Sequence, residues 1–314
     1  SFYTFQLISY VVDVYRGETP PQRSYGKLLL YAALFHQCIA GPIIRYSDVN
    51  EELESRRVTR EDAARGITRF ACGLAKKAVL ANGCAAVADA LLNGTVDTLA
   101  AVPALGVWLG GLAYMLQIYL DFSAYSDMAI GLGRVFGFRF IENFNYPYSA
   151  ISIRDFWKRW HISLTDFLRK YIYFPLGGSR RGKARTYLNI MIIFLISGFW
   201  HGADWTFILW GFLHGVLSCA DRMIGKSYEK LPKVLRWLIT MMLVTVLWML
   251  FRSESLTQFA QLMKQLVKPG NFRMTGGLVD FDYFPVLQFL DVFIEGNQWL
   301  EMLAGMGLLT LAGF

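Results

Sequence analysis

Charged residues are scarce in this sequence. Only 18% of its 314 residues are charged and 54% are hydrophobic, whereas about a quarter of the residues in soluble domains are charged. The mean hydropathy is correspondingly positive, at +0.34. This balance excludes an ordinary soluble domain and indicates a protein that crosses a membrane several times.

Several signatures of common site types are missing. The four cysteines are scattered without a CxxC pair, so there is no sign of a disulfide framework or a thiolate metal site. The four histidines show no HExxH or comparable ligand spacing, and we therefore expect no metal site. There is no GxSxG nucleophile turn, and the glycines of Gly131-Leu-Gly133 lack the spacing of a dinucleotide-binding loop.

Long apolar runs dominate what is present. They lie at residues 26–44, 101–120, 187–200, 204–219, 234–251 and 297–314. Several have membrane-spanning length once flanks and tilt are included, and they are too continuous for barrel strands. With the shorter or mixed patterns at 1–15, 66–92 and 283–295, we expect roughly seven to nine helices, some of them buried or re-entrant. The predicted fold is an all-α, polytopic membrane helical bundle that forms a single domain over residues 1–314.

Positive charge is concentrated in residues 154–185. This segment holds nine basic side chains against Asp155 and Asp166, a net charge of +7, which equals that of the whole chain. A short basic stretch beside membrane helices favours the cytoplasmic side and contact with anionic lipid headgroups. No nucleic-acid-binding module accompanies it, so we expect no nucleic-acid partner. Residues 154–171 are amphipathic at helical period, which predicts an interfacial helix with His161 at the edge of its apolar stripe.

The main candidate for chemistry is His201, within Ser197-Gly-Phe-Trp-His-Gly-Ala-Asp-Trp205. A titratable side chain in hydrocarbon costs roughly 2 kcal/mol or more unless it faces protein or a wet cavity. One continuous helix would place Ser197 and Trp205 on the face of His201, with Asp204 a turn away. The alternatives are a packing role for His201 and a snorkelling interfacial position for His161. For the other two histidines, His36 and His214, we expect structural roles.

Two further patterns predict helix packing. Gly198 and Gly202 flank His201, and Gly211 and Gly215 flank His214; small residues at this spacing allow helices to approach closely. In addition, the carboxylates Asp121 and Asp127 follow the apolar run 101–120. They lie on different helix faces, so they either line a polar channel or brace the fold, and a brace is the preferred interpretation.

An ordered set of strings resembles those of bacterial membrane-bound O-acyltransferases (MBOAT) of the alginate O-acetyltransferase type. The strings are Ser1-Phe-Tyr-Thr-Phe-Gln6, Asp13-Val-Tyr-Arg-Gly17, Ala40-Gly-Pro-Ile43, Gln117-Ile-Tyr-Leu-Asp-Phe-Ser123, Glu142-Asn-Phe-Asn145, Asp155-Phe-Trp-Lys-Arg-Trp-His-Ile-Ser-Leu164, Tyr173-Phe-Pro-Leu-Gly-Gly178, Ser197-Gly-Phe-Trp-His-Gly-Ala203 and Trp210-Gly-Phe-Leu-His-Gly215. They cover about residues 1–220. Family members usually carry further membrane helices ahead of the first string, and this chain also ends within an apolar run, so we expect a segment truncated at both termini.

The resemblance implies a helical bundle around a central funnel, with His201 and His161 as catalytic residues. It implies transfer of an acetyl group from a cytoplasmic thioester, either acetyl-CoA or another acyl thioester, to hydroxyls of an exported polysaccharide or of a partner protein. No tightly bound cofactor is expected. The implied partners are membrane lipids, the acyl donor and an extracellular or periplasmic accessory protein, and the implied location is the bacterial cytoplasmic (inner) membrane. The alternatives are D-alanyl transfer to teichoic acid and a non-catalytic role in a polysaccharide export complex.

Overall fold

The structure is a computed structural model that describes residues 2–34 and 41–268. Within these ranges the chain forms helices joined by turns and loops, without a β-strand, as predicted. The α-helices are α1 (Phe2–Tyr15), α2 (Tyr25–Ala32), α3 (Tyr46–Glu54), α4 (Arg60–Ala75), α5 (Asn82–Leu92), α6 (Val96–Leu99), α7 (Ala104–Val135), α8 (Ile153–Arg159), α9 (Ile162–Leu168), α10 (Lys183–His201), α11 (Trp205–Tyr228), α12 (Lys233–Arg252) and α13 (Leu256–Val267). Further helical elements are the π-helices Lys76–Ala81 and Arg169–Tyr173 and the 3₁₀ turn Pro147–Ser149.

Within residues 2–34 and 41–268, four helical segments are long and apolar enough to cross a membrane. They are Arg60–Leu92, which joins α4 to α5 through a π-helix, Ala104–Val135 (α7), Trp205–Tyr228 (α11) and Lys233–Arg252 (α12). The apolar runs that begin near residues 101, 204 and 234 coincide with the last three segments. The first segment is longer than its mixed sequence pattern predicts.

Two of the predicted apolar runs do not form candidate spans. In the run 26–44, α2 ends at Ala32 after eight residues. Such a helix covers about 12 Å, well short of the roughly 30 Å of membrane hydrocarbon. The run 187–200 belongs to α10, which is 19 residues long and is not among the four candidate spans. The run 297–314 and the pattern at 283–295 lie outside the described residues.

Ion pairs connect the Arg60–Leu92 segment to α7. Asp127 contacts Arg69 (Nη2–Oδ1 2.9 Å) and Lys76 (Nζ–Oδ2 2.5 Å), and Asp121 pairs with Lys77. The two lysines open the π-helix Lys76–Ala81, where the wider turn changes the direction of successive side chains. Through these pairs both carboxylates connect the two helical segments. The pairs also neutralise the basic residues that interrupt the apolar pattern of the Arg60–Leu92 sequence.

The chain divides into two compact units. The first comprises Ser1–Lys77 and Asp121–Leu247, and the second comprises Ala78–Leu120 and Trp248–Phe314. In the second unit, Arg252 pairs with Asp89, and α7 approaches α5 closely at Gly110, where a Cβ atom would lie 2.9 Å from Leu91. His161 and His201 both belong to the first unit. The single-domain interpretation stays a prediction.

Glycines allow α10 and α11 to approach each other closely. A Cβ atom on Gly198 would lie 2.4 Å from the carbonyl oxygen of Phe207, and one on Gly211 would lie 2.3 Å from that of Phe194. Real Cβ atoms do not approach backbone oxygens so closely, so only glycine fits at either position. The predicted close packing is confirmed for this pair, and it holds the end of α10 against the start of α11.

The amphipathic stretch 154–171 is not one helix, contrary to the sequence prediction. It is divided into α8, α9 and the π-helix Arg169–Tyr173, with a break at Trp160 and His161. At the break, the Ile162 amide donates to the Asn143 carbonyl oxygen (3.0 Å), and the Asn145 amide donates to the Arg159 carbonyl oxygen (2.9 Å). A distant segment therefore satisfies backbone groups that a continuous helix would pair internally.

Candidate active site

His161 occupies the break between α8 and α9. Its φ angle is +46°, in the left-handed region, and its side chain is only 2% exposed. The ring of Phe122 stands edge-on to it, with the ring centroids 4.7 Å apart. Burial, with a smaller contribution from nearby His201, lowers the pKa of His161 to about 3. The alternative of a snorkelling interfacial histidine is therefore wrong, because the imidazole is enclosed and neutral.

Asn143 lies in the loop that follows α7 and contacts the side chain of His161. Its side-chain oxygen lies 3.2 Å from His161 Nδ1 and accepts hydrogen bonds from the backbone amide (3.2 Å) and the hydroxyl (2.9 Å) of Ser163. The amide of Ile43 donates in turn to the Ser163 hydroxyl (2.9 Å). The resemblance included Asn143 within a string but assigned it no role.

His201 is the last residue of α10, not the middle of a continuous helix. Gly202 ends α10, and Asp204 caps the start of α11, where its carboxylate accepts a hydrogen bond from the Thr206 amide (3.2 Å). The predicted shared face with Trp205 and Asp204 is therefore wrong, and Trp205 is 69% exposed. An N-cap aspartate before an apolar run is a recognisable helix start, so the sequence did contain this signal.

The ring of His201 lies between two indoles. Its centroid is 4.8 Å from that of Trp200 and 5.4 Å from that of Trp210, both in edge-to-face geometry. The side chain is partly exposed, and burial lowers its pKa to about 4. A charge on His201 would disfavour a charge on His161, which belongs to a different element.

His214 is a buried neighbour of this site. The Trp157 indole nitrogen donates to its Nδ1 (3.2 Å), and the rings of Phe194 and Trp210 pack against it. Since an indole N–H can only donate, the neutral imidazole carries its proton on Nε2. These contacts fit the structural role expected for His214. His36, for which a structural role was also expected, lies outside the described residues.

A cavity of about 260 Å³ reaches the same helices, and we call it the basic cavity. Four basic side chains line it, namely Arg154, Lys158, Arg169 and Arg222. Trp157 and Phe194 contribute apolar wall, and Ser197 lies one helical turn before His201. The combination suits a ligand that has both anionic groups and an apolar or uncharged arm. The positive charge of this region therefore faces a cavity as well as the outside of the protein.

A second cavity of about 240 Å³ also borders α9, and Arg169, which follows this helix, lines both cavities. Leu164, Thr165 and Leu168 line the basic cavity, whereas Ser163 and Phe167 line the second. These two sets lie on opposite faces of a seven-residue helix that His161 precedes directly. No cluster of three or more histidine, cysteine or acidic side chains that could hold a metal ion occurs in residues 2–34 and 41–268.

Sequence comparisons relate the chain to known acyltransferases. A sequence model of the MBOAT, membrane-bound O-acyltransferase family, matches residues 22–257. The probable alginate O-acetylase of Pseudomonas aeruginosa is 43% identical over 279 residues, which cover 88% of this chain and 52% of that protein. The peptidoglycan O-acetyltransferase of Helicobacter pylori is 36% identical over 298 residues, with 85% and 56% coverage. The teichoic acid D-alanyltransferase of Bacillus subtilis is 28% identical over 258 residues, with 79% and 63% coverage.

The chain spans about half the length of these curated relatives. The matched range 22–257 contains His161, His201 and the four candidate membrane spans. It also makes up more than half of this chain. These findings show that this multi-pass membrane protein belongs to the membrane-bound O-acyltransferase family.

Proposed function

We propose that the protein is an O-acetyltransferase that moves an acetyl group from acetyl-CoA to a hydroxyl of an exported polysaccharide, directly or through a partner protein. The observation that carries this proposal is the basic cavity, whose lining includes Ser197, one helical turn before His201. The cavity has cationic walls and reaches the helix that ends at His201, whose imidazole is neutral and partly exposed. Membership of the acyltransferase family supports the same reaction class.

His201 is assigned as the general base. A general base must reach the proton that it removes, and His201 is partly exposed whereas His161 is almost fully enclosed. His201 takes the hydroxyl proton while the hydroxyl oxygen attacks the thioester carbonyl carbon. The carbon–sulfur bond then breaks, and His201 returns the proton to the departing thiolate. The products are an O-acetyl ester and free CoA, and His201 is neutral again.

The low pKa values of both histidines keep the two imidazoles neutral at physiological pH. An imidazole with a pKa of about 4 has its lone pair available throughout the physiological range. The protonated form, when it does arise, is a strong acid and gives the proton readily to a thiolate. His161 remains uncharged next to it, so the two rings do not repel each other before the reaction begins.

The basic cavity is the proposed site of the acyl donor. Acetyl-CoA carries phosphates, which arginine and lysine bind through charge-assisted hydrogen bonds, and an uncharged arm that ends in the thioester. Arg154 and Arg169 already pair with Asp221 and Asp166, so Lys158 and Arg222 are the stronger candidates for direct phosphate contact. We expect the donor to be a co-substrate that is released after each turnover.

The relatives favour acetyl transfer over D-alanyl transfer. The relatives named as O-acetyltransferases are 43% and 36% identical, while the D-alanyltransferase is 28% identical. All three come from bacteria, which supports a location in a bacterial cytoplasmic membrane, with the donor on the cytoplasmic side and the acetylated hydroxyl on the outer side. A partner protein on the outer side would receive the acetyl group if the transfer is relayed.

The test is His201→Ala in cells that acetylate an exported polysaccharide. We expect the variant to insert in the membrane normally but to lose the O-acetyl groups on the polymer, which are measured by NMR of the purified material. The matched control is Phe199→Ala on the same helix, because Phe199 is 67% exposed. This control should retain acetylation.

Retained acetylation in the His201→Ala variant would refute the enzymatic role and would indicate a non-catalytic component of an export complex.

Labelled donors distinguish acetyl transfer from D-alanyl transfer. Membranes that contain the protein should label polysaccharide from acetyl-CoA and not from a D-alanyl carrier protein, whereas the reverse result would overturn the assignment of acetyl transfer.

A further inference from the structure

The hydrogen bonds around Asn143 determine how its amide group is oriented. Asn143 is 1% exposed, and one of its side-chain atoms lies 3.2 Å from the backbone nitrogen of Ser163. A backbone N–H can only donate, so the atom that faces it must be the amide oxygen. The amide nitrogen then faces Ser126 Oγ at 3.3 Å and donates to it.

The orientation of this amide fixes the tautomer of His161. The same oxygen lies 3.2 Å from His161 Nδ1. Because an amide oxygen can only accept, Nδ1 must carry a proton. In a neutral imidazole the other nitrogen, Nε2, then holds the lone pair. The opposite tautomer would place two lone pairs against each other in a buried site.

Asn143 also fixes the position of the ring. Its carbonyl oxygen accepts the hydrogen bond from the Ile162 amide that supports the break beside His161. The Ser163 hydroxyl accepts from Ile43 and donates to the Asn143 side chain. Both the backbone and the side chain of Asn143 therefore act on the residues that set the direction of the imidazole.

We propose that Asn143 is a positioning residue for acyl transfer: it keeps the proton of His161 on Nδ1 and the lone pair on Nε2, so that the buried imidazole presents its acceptor nitrogen in one fixed direction. This inference rests on the proposed function for the role of His161, but the tautomer itself does not. Asn143 does not touch the substrate and acts only through His161.

The direct test is ¹⁵N NMR of the protein in bilayers with ¹⁵N-labelled histidine. The sequence has only four histidines, so the signals that disappear in His161→Asn belong to His161. We expect a protonated Nδ1 and an unprotonated Nε2 at neutral pH. A protonated Nε2 with a bare Nδ1 would overturn the proposal, whatever the acetylation assay shows.

Three variants of the contact separate positioning from general packing. Asn143→Asp keeps an acceptor oxygen and should keep the tautomer. Ser126→Ala removes only the partner of the amide nitrogen and should keep it as well. Asn143→Leu removes the acceptor, so the His161 signals should show a mixture of tautomers or the opposite one. In steady-state assays we expect kcat of Asn143→Leu to fall by roughly 10- to 100-fold, the range for residues that orient a functional histidine, with KM for acetyl-CoA unchanged.

The outcomes distinguish the two proposals. If Asn143→Leu does not fold, Asn143→Asp still tests the inference, because loss of the Nδ1 proton in that variant would refute it. If the wild-type tautomer is as expected but His201→Ala retains acetylation, the proposed function fails and the assignment of the Nδ1 proton stands. If Asn143→Leu changes the tautomer but leaves kcat intact, His161 takes no part in the reaction and the positioning role is refuted.

Discussion

Lowering the pH should destabilise this protein through His161. Its pKa is about 3 in the folded protein against an ordinary value of 6.5, chiefly because burial disfavours the charged ring. The unfolded chain therefore binds a proton below pH 6.5 that the folded protein does not accept until about pH 3. The stabilising contribution is complete above pH 6.5 and is lost progressively as the pH falls toward 3. One pH unit in this window corresponds to about 1.4 kcal/mol, so the free energy of unfolding should fall by about 2 kcal/mol between pH 6.5 and about pH 5.

The measurement is denaturant unfolding of the protein in mixed micelles at about pH 7.5 and about pH 5. His161→Asn is the matched variant, since asparagine tolerates the left-handed backbone at this position and can still donate to Asn143 without titrating. Other groups titrate equally in both proteins, so the difference between their pH responses isolates His161. Wild-type protein should lose about 2 kcal/mol more than the variant. Equal losses would refute the argument that burial keeps the imidazole neutral.

Three further perturbations follow from the packing and charge of the first unit. Gly211→Ala should lower the free energy of unfolding by about 1–3 kcal/mol, because the added methyl group would lie 2.3 Å from a carbonyl oxygen. The control is Gly26→Ala, where the nearest atom is 3.9 Å from the added Cβ. This control should leave the free energy of unfolding unchanged in the same assay. Lys158→Ala and Arg222→Ala should each raise KM for acetyl-CoA in steady-state assays, with little change in kcat. The increase in KM should be smaller at high salt. An unchanged KM would show that the basic cavity does not bind the donor. Asp127→Asn should lower stability by about 1–3 kcal/mol, since it deprives two cations of their shared carboxylate; an unchanged unfolding midpoint would show that these pairs do not brace the helices.

Local patterns predicted much of the fold, whereas the catalytic roles of His161 and His201 stay predictions. The apolar runs located three of the four candidate spans, and the glycine spacing anticipated the α10–α11 contact at Gly198 and Gly211. Such features depend on residues within one or two helical turns, so they are visible in the sequence. The span that begins at Arg60 has a mixed sequence pattern because it contains lysines. In the structure Asp121 and Asp127 neutralise these lysines, and partners about 45 residues away leave no local signal in the sequence.

The site itself depends on contacts between distant parts of the chain. Residues 154–171 have the period of a single helix, but the helix breaks at His161 because Asn143 and Asn145 supply its backbone hydrogen bonds. No pattern within 154–171 shows that competition. By contrast, the end of α10 at His201 could have been found, since Asp204 has the position of an N-cap before the apolar run of α11.

A comparison of the buried ionisable groups explains why imidazoles occupy this site. Asp13 and Asp221 are only 2% and 8% exposed, and each has a basic partner, Lys170 for the first and Arg154 for the second. A buried carboxylate acting as the base would need such a cation, because an unpaired buried charge is too costly. That cation would also hold the base in its ionised form and weaken it as a proton acceptor. A neutral imidazole needs no such cation while the protein is at rest. In the proposed mechanism His201 becomes charged only during acyl transfer, when the developing thiolate supplies the compensating negative charge.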